Sequence, residues 1–313
     1  MTQPNPLTLS VVVPTRNRRD HALACARTLL AADGFIELIV IDQSDGTGTR
    51  DALTALADSR LRYVPSDMRG VTRGRNLGIE LSSGAIVAFT DDDCRVKPDW
   101  AFRLMAIFAS QPDVAVVCGR VGVPAELRHL GFAETFQPRE REWQTRYPPM
   151  GQWGITANFA IRRSVLAQVG RFDPMLGAGA PLQSGGEPDL LFRVLRSGLK
   201  VVNADEVVVD HLGIRKHGLE SQKLLKGYGA GTAAAFLKHV RLKDPAAAGI
   251  YLGFLVTTVR QVAGKMLRGR RPSGAGYLLA FLSGSLRSCR FPVDRARREY
   301  QDRRSAASIG RRS

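Results

Sequence analysis

Residues 85–93 read Ala-Ile-Val-Ala-Phe-Thr-Asp-Asp-Asp. An apolar run too short for a helix, and rich in β-branched and aromatic side chains, predicts a strand buried on both faces. It runs straight into three carboxylates, Asp91, Asp92 and Asp93. The same unit recurs on either side. Strands are predicted over 9–13 (LSVVV, stopped by Pro14), 37–41 (ELIVI), 61–64 (LRYV) and 114–118 (VAVVC). Helical spacing of apolar residues fills 20–32, 49–57, 74–81 and 100–109. Strand and helix in alternation predict an α/β fold, with a mostly parallel central sheet flanked by helices. Further on, 157–161, 200–203 and 206–209 read as strands, 164–169 and 189–197 as helices, and 177–186 carries four glycines.

Composition supports one folded body with a different final third. The chain has 313 residues, 44% of them hydrophobic and 24% charged, a balance that excludes a fibrous or wholly disordered protein. No apolar run reaches the roughly 20 residues of a spanning helix, which excludes a polytopic membrane protein. The N-terminus shows no basic region followed by an apolar stretch, so the chain reads as unsecreted. Cys25, Cys94, Cys118 and Cys289 lie far apart, which argues against a zinc site and a disulfide framework. Residues 1–213 hold 24 basic and 24 acidic side chains, whereas 214–313 hold 21 basic against 5 acidic, the whole net charge of +16. A catalytic or binding body over 1–213 and a basic, partly amphipathic helical tail over 214–313 follow from that split. In the tail, 221–240 predicts a helix, 246–259 and 275–282 are apolar, and the chain frays from about 294. The 14 residues of the first apolar run are too few to cross a bilayer, whose core needs about 20.

Three adjacent carboxylates repel one another unless something positive lies among them. A hard divalent cation bridging substrate phosphates would serve, since Mg²⁺ and Mn²⁺ prefer oxygen ligands. The carboxyl end of a strand in an open α/β sheet is also where ligands bind. The competing reading is a solvated acidic turn ahead of Pro98. Asp42 ends the strand LIVID in the same way, a place that suits contact with a ribose or base. There is no GxGxxG, which counts against a dinucleotide site, and Asp42 or Ser44 could equally cap the following turn.

The run LSVVVPTRNR, then LIVIDQSDGT, then GVTRGRNLGIELSSGAIVAFTDDDC resembles the nucleotide-binding half of family 2 inverting glycosyltransferases, which have the GT-A fold. TANFAIRRSVLAQVGRFDPMLGAG, GGEPDLLFRVLRSG and VVVDHLG follow in the family's order. The likeness covers about 8–213 and divides it into a nucleotide-binding half, about 8–118, and an acceptor and catalytic half, about 119–213. It implies that Pro14, Thr15 and Arg16 lie along the base, that Asp42 contacts the nucleoside, and that Arg75 is near the nucleotide. It makes Asp91 and Asp93 the ends of a D-x-D motif, with Asp92 between them, where ribose and a metal-bridged diphosphate meet. Asp93, Asp91 and His211 become the expected ligands of Mn²⁺ or Mg²⁺, though which aspartate touches the metal stays open. Glu187 resembles the catalytic base. The family pattern is Glu-Asp, one residue, then a second Asp, and here Gly186-Glu187-Pro188-Asp189 departs from it. Asp189 is then a supporting or acceptor-binding acid, or in the other register the base. Trp153 and Asn158 fall where the family lines the acceptor and donor-sugar pocket.

The implied reaction moves a sugar from a nucleotide-diphosphate-sugar to a hydroxyl of a glycan or lipid-linked acceptor, with inversion, in surface polysaccharide or glycolipid synthesis. The basic tail predicts a cytoplasmic protein peripheral on the inner face of the membrane. Without interleaved aromatics it does not predict nucleic-acid binding. A helical subdomain packed on the body is the bland alternative for the tail. The Glu-Pro-Asp departure also fits a catalytically inactive, membrane-associated scaffold of the same fold.

Overall fold

The structure is a computed structural model, and it describes residues 7–138, 142–147, 154–272 and 274–302. In chain order the elements are β1 (Leu9–Thr15), α1 (Arg19–Leu30), β2 (Glu37–Asp42), α2 (Gly48–Thr54), β3 (Leu61–Pro65), α3 (Val71–Leu81), β4 (Ile86–Phe89), β5 (Cys94–Val96), α4 (Trp100–Ser110) and β6 (Val114–Gly122). There follow β7 (Glu142–Trp143), β8 (Phe159–Arg162), α5 (Arg163–Val169), α6 (Gly186–Arg196), β9 (Lys200–His211), α7 (Leu219–Arg241), α8 (Pro245–Leu267), α9 (Ala275–Ser288), β10 (Val293–Asp294) and β11 (Glu299–Tyr300).

One nine-stranded sheet has the order β3-β2-β1-β4-β8-β6-β9-β5, with β7 also on β9. β3, β2, β1 and β4 pair in parallel, β8 runs against both its neighbours, and β6 and β9 resume the first direction. The predicted parallel sheet is present, with a reversed strand inserted at β8. The strands at 200–203 and 206–209 are one strand, β9, whose register against β6 shifts between Gly119 and Arg120. Valine, isoleucine and leucine from these strands fill a continuous core with Phe89, Trp100, Phe108 and Phe159.

Register places the chemistry. Thr15 and Asp42 are directly paired at the carboxyl ends of β1 and β2. β4 ends beside them, and the aspartate triplet turns into β5. β5 pairs antiparallel with the end of β9, Cys94 opposite His211, so the triplet and the histidine meet although 118 positions apart.

The tail differs from its sequence reading in two respects and fits the packed alternative in a third. The apolar run over 246–259 belongs to a 23-residue helix, α8, long and apolar enough by length and composition to cross a membrane. Arg260 and Lys265 interrupt the hydropathy but not the helix, because charged residues are good helix formers. The end does not fray at 294: β10 and β11 form a small antiparallel ribbon, and Tyr300 is buried. The tail also shares buried charge with the body. Lys238 on α7 is fully buried between Asp173 (2.8 Å) and Asp189 (2.6 Å).

Candidate active site

The strand ends and two helix starts converge on the aspartate triplet. Thr15 Oγ1 donates to Asp92 at 2.7 Å. Arg18, on the turn into α1, donates from one Nη1 to Asp92 (2.9 Å) and Asp93 (2.8 Å). Asp93 also meets His211 Nε2 at 3.3 Å. Burial alone would raise the Asp93 carboxyl, but the hydrogen bond and charge of His211, with Arg18, hold it well below the usual range. Burial would lower His211, and Asp93 and Asp91 more than offset that, raising it. Burial pushes Asp92 up despite Arg18 and Thr15.

Arg75 joins this cluster to the glycine-rich segment. Its buried guanidinium donates from Nη2 to Asp91 (2.9 Å) and from Nη1 to Glu187 (3.2 Å). Thr156 Oγ1 donates to the same Glu187 oxygen at 2.5 Å. Glu187 stands in the first turn of α6, where the helix dipole favours an acid. Thr72 at the start of α3 donates to the carbonyl of Leu176 at 2.6 Å, holding the glycine-rich segment against the helix that carries Arg75.

The other sequence candidates divide. Asp42 is buried at the β2 end, accepting from Ser44 N and from Tyr63 Oη, both at 2.9 Å. Pro14 packs against Gly74 of α3. Arg16 points to the rim, 3.8 Å from Asp45, with both side chains half exposed. Trp153 lies outside the described residues. Asn158 does not line a pocket. It is buried, accepts from Trp100 Nε1 (2.9 Å), and donates to the carbonyls of Arg120 (2.9 Å) and Val207 (2.8 Å). Its amide is spent joining β6, β9 and α4, which corrects the pocket reading. Asp189 is likewise out of acceptor reach. It is fully buried, with Arg193 (2.9 Å), Lys238 (2.6 Å) and His239 (2.8 Å) around it. Those charges outweigh burial and hold it ionised well below the usual range. Of the two acids after the glycines, Glu187 alone faces the triplet.

Sequence reading missed Arg18, Thr156 and Glu134. Arg18 stands two residues after Arg16 in the same run. Asn17 between them has φ 55° and turns the chain, so the second arginine rather than the first reaches the aspartates. Thr156 lies in an isolated helical turn before β8 with no pattern to mark it. Glu134 is in a loop pinned by Phe136 to Val121 and by Phe132 to Arg215. Burial raises its pKa, and Glu187, Asp91 and His211 act on it through charge, with Tyr228 of α7 as a neighbour.

The donor set fits a hard cation. The Nδ1 of His211 is buried and has no partner, and Gly213 leaves room for the Asp93 carboxylate that a Cβ would occupy at 2.2 Å. Asp91 lies outside the close group of Asp93, Cys94 and His211, partly open to solvent and paired with Arg75. Cys94 is close to Asp93 and His211, but burial pushes its thiol up, and a protonated thiol is a poor ligand for Mg²⁺ or Mn²⁺.

Residues 10–170 match the sequence profile of Glycosyl transferase family 2. Glycosyltransferase AglE of Haloferax volcanii is 26% identical over 215 residues, 65% of this chain and 66% of that protein. The glucosyl-dolichyl phosphate glucuronosyltransferase of the same organism is 26% identical over 164 residues, 49% of this chain and 51% of its own. The chain thus spans between about half and two thirds of the length of these relatives. Among solved structures, the mannosyltransferase PcManGT from Pyrobaculum calidifontis, in complex with GDP-Man and Mn²⁺, superposes with a TM-score of 0.60 at 18% identity, over 90% of this chain and 88% of that one. Staphylococcus aureus TarS gives 0.53 at 14% identity, over 74% and 39%. The shared architecture is the GT-A fold. With a profile match over half its length, the chain belongs to Glycosyl transferase family 2.

Proposed function

We propose that the protein transfers a sugar from a nucleoside-diphosphate-sugar to an acceptor hydroxyl with inversion, using Glu187 as base. The observation that carries this reading is the Arg75 bridge. One buried guanidinium holds Glu187 and the D-x-D carboxylate Asp91 together, so the acid and the donor end of the site keep a fixed separation. The acceptor hydroxyl is far too weak an acid to ionise alone, so a carboxylate must take its proton as oxygen attacks the anomeric carbon. Glu187 is the acid so placed, and Thr156 fixes which of its oxygens is occupied. A single displacement inverts the centre and needs one base, unlike the paired carboxylates of a retaining glycosidase. Asp93 and His211, with Asp91, would hold a divalent cation, which neutralises charge on the departing diphosphate when bound. Arg18 supplies a further positive group beside the same carboxylates. Asp42, Thr15 and Pro14 form the strand-end floor for the nucleoside.

We assign the acceptor to the glycan or lipid-linked class, in polysaccharide or glycolipid synthesis at the cytoplasmic face of a membrane. The names of two relatives support the acceptor class: one is a glucosyl-dolichyl phosphate glucuronosyltransferase and another the succinoglycan biosynthesis protein ExoO of Rhizobium meliloti. A second reading, an inactive scaffold, is favoured by the Glu187-Pro188-Asp189 departure, in one register of which Pro188 stands where the family pattern has its first Asp. A screen of nucleotide-sugars decides between them. The expected result is metal-dependent donor turnover in the wild type, lost by 10²–10⁴-fold or more in Glu187→Gln while nucleotide titration is unchanged. Wild-type protein that binds nucleotide-sugars but turns over none of them supports the scaffold.

A further inference from the structure

The helices α8 and α9 carry an apolar, strongly basic outer face that no described part of the chain covers. On α8, Leu252, Val256, Val259, Ala263 and Met266 are all exposed and recur at spacings of four, three, four and three, which is one stripe of a helix. On α9, Leu279, Leu282 and Leu286 repeat the pattern and are exposed as well. From residue 245 to residue 290 there are seven Lys and Arg and no Asp or Glu. Arg260, Arg268, Arg270 and Arg271 are exposed at the far end of α8 and the turn beyond it, and Arg287 and Arg290 at the end of α9. An exposed apolar stripe bordered by one sign of charge is the mark of a helix that lies in a lipid interface.

The opposite faces of these helices are committed to the body. Ala247, Ile250, Tyr251 and Phe254 of α8 pack on Phe192 of α6 and Phe236 of α7. Tyr251 stacks near Phe281 of α9, and its hydroxyl lies 2.7 Å from Ser285 Oγ. Asp244 caps α8 and pairs with Arg196 of α6 at 2.8 Å. Although α8 is long enough to span a membrane, spanning would strip this packing and carry Arg260 into the hydrocarbon.

We propose that the α8–α9 face docks the protein on the surface of an anionic lipid bilayer, lying along it rather than crossing it. The charge complementarity is direct, since the face has only positive charges to offer. This rests on the membrane placement proposed above and names the face that makes the contact, and it is tested without the transfer reaction.

The test is flotation of the full chain with vesicles of neutral phosphatidylcholine, or with phosphatidylglycerol added, and with no nucleotide, metal or acceptor. The chain is expected to float with anionic vesicles and to be released by 0.5 M salt, because screening shortens the reach of surface charge. Arg268→Gln with Arg270→Gln and Arg271→Gln should weaken partitioning on the order of 100-fold, given what each basic residue contributes near an anionic surface. Leu252→Gln with Val256→Gln and Val259→Gln should weaken it on anionic vesicles as well, with little change in melting temperature, since about half of each side chain is already exposed. Equal flotation on both vesicle types, or none on either, would overturn the proposal. So would resistance to extraction by salt and alkaline carbonate, which would mean that α8 spans. If the stripe variant changes the mass in solution by light scattering but not flotation, the face belongs to a second copy of the chain instead. Failure of every donor screen would leave these outcomes untouched.

Discussion

Arg75 is a residue whose chemistry cannot be shared with lysine. Its planar fork donates to Asp91 with one nitrogen and to Glu187 with another, while its ring-side packing is on Phe172. A lysine is a point charge and can serve one acid at a time. Arg75→Lys is therefore expected to keep the fold and lower turnover about 10²-fold or more by freeing Glu187, and Arg75→Ala to add weaker donor binding. Each lost charge-assisted bond is worth about 1.5–3 kcal/mol. Steady-state rates with parallel nucleotide titration check it, and a lysine variant with wild-type kcat would remove the bridge from the mechanism. The sequence made Arg75, Glu187 and the triplet legible, because each sits at a strand end or helix start of a recognisable run. It could not separate Arg16 from Arg18, since both are arginines in one loop and the choice is made by a single backbone angle at Asn17. Nor could it show that Asn158 faces inward: an asparagine before a strand looks the same whether its amide meets a sugar or three core partners.

At the level of elements, α6 is held from behind by α7. Gly185 caps α6 at φ 92°, and a Cβ there would stand 2.5 Å from the carbonyl of Gly231. Gly185→Ala would push α6 and its Glu187 off α7, so a lowered melting temperature and a lowered kcat are expected together. A variant that melts lower but turns over normally would show that the helix start is not what aims Glu187. The joint also carries a pH signature. Burial keeps His239 below its ordinary pKa; the hydrogen bond and charge of Asp189 pull the other way, and the charges of Lys238 and Arg193 add to the depression. A depressed folded pKa means stability is full above the unfolded value, about 6.5 for histidine, and is lost as pH falls. Asp189, also depressed, adds loss below about pH 4 in the same direction. Melting temperature should therefore fall from pH 7 to 5 and again below 4, and His239→Gln should flatten the first part. An unchanged slope in that variant would mean other groups set it. The pairing itself was not readable from the chain: the acid pattern of α6 was visible, but His239 lies 50 residues on from Asp189, in a helix whose sequence does not mark which basic residues face inward.

For the molecule as a whole, the division at residue 213 suggested by charge does not coincide with a division in packing. Besides Arg193, Lys238 is the cation that faces Asp173 and Asp189 among the described residues, His239 adds a hydrogen bond to Asp189, and all of them lie in the interior. Tyr300 adds its backbone N–H to Asp173 at 3.0 Å and its hydroxyl to the carbonyl of Ala234 at 2.7 Å, so the far end of the chain closes over the same cluster. Removing one partner of a buried pair leaves an uncompensated charge and costs about 3–5 kcal/mol, a large share of the stability of a domain. A protein cut after residue 213 would lose the Lys238 cation and the His239 ring at once. It is expected to be insoluble, or to show no cooperative melt, whereas one cut after Asp244 keeps α7 and should fold with a lower melting temperature. Lys238→Met in the full chain should destabilise by about the single-partner amount while the Glu187 site stays assembled, because Arg75 and Thr156 hold it from the other side. Circular dichroism melts of the three proteins check the order. If residues 1–213 alone melted cooperatively near the full chain's temperature, the cluster would be incidental to the body, and the basic tail would be the appendage that its composition alone suggests.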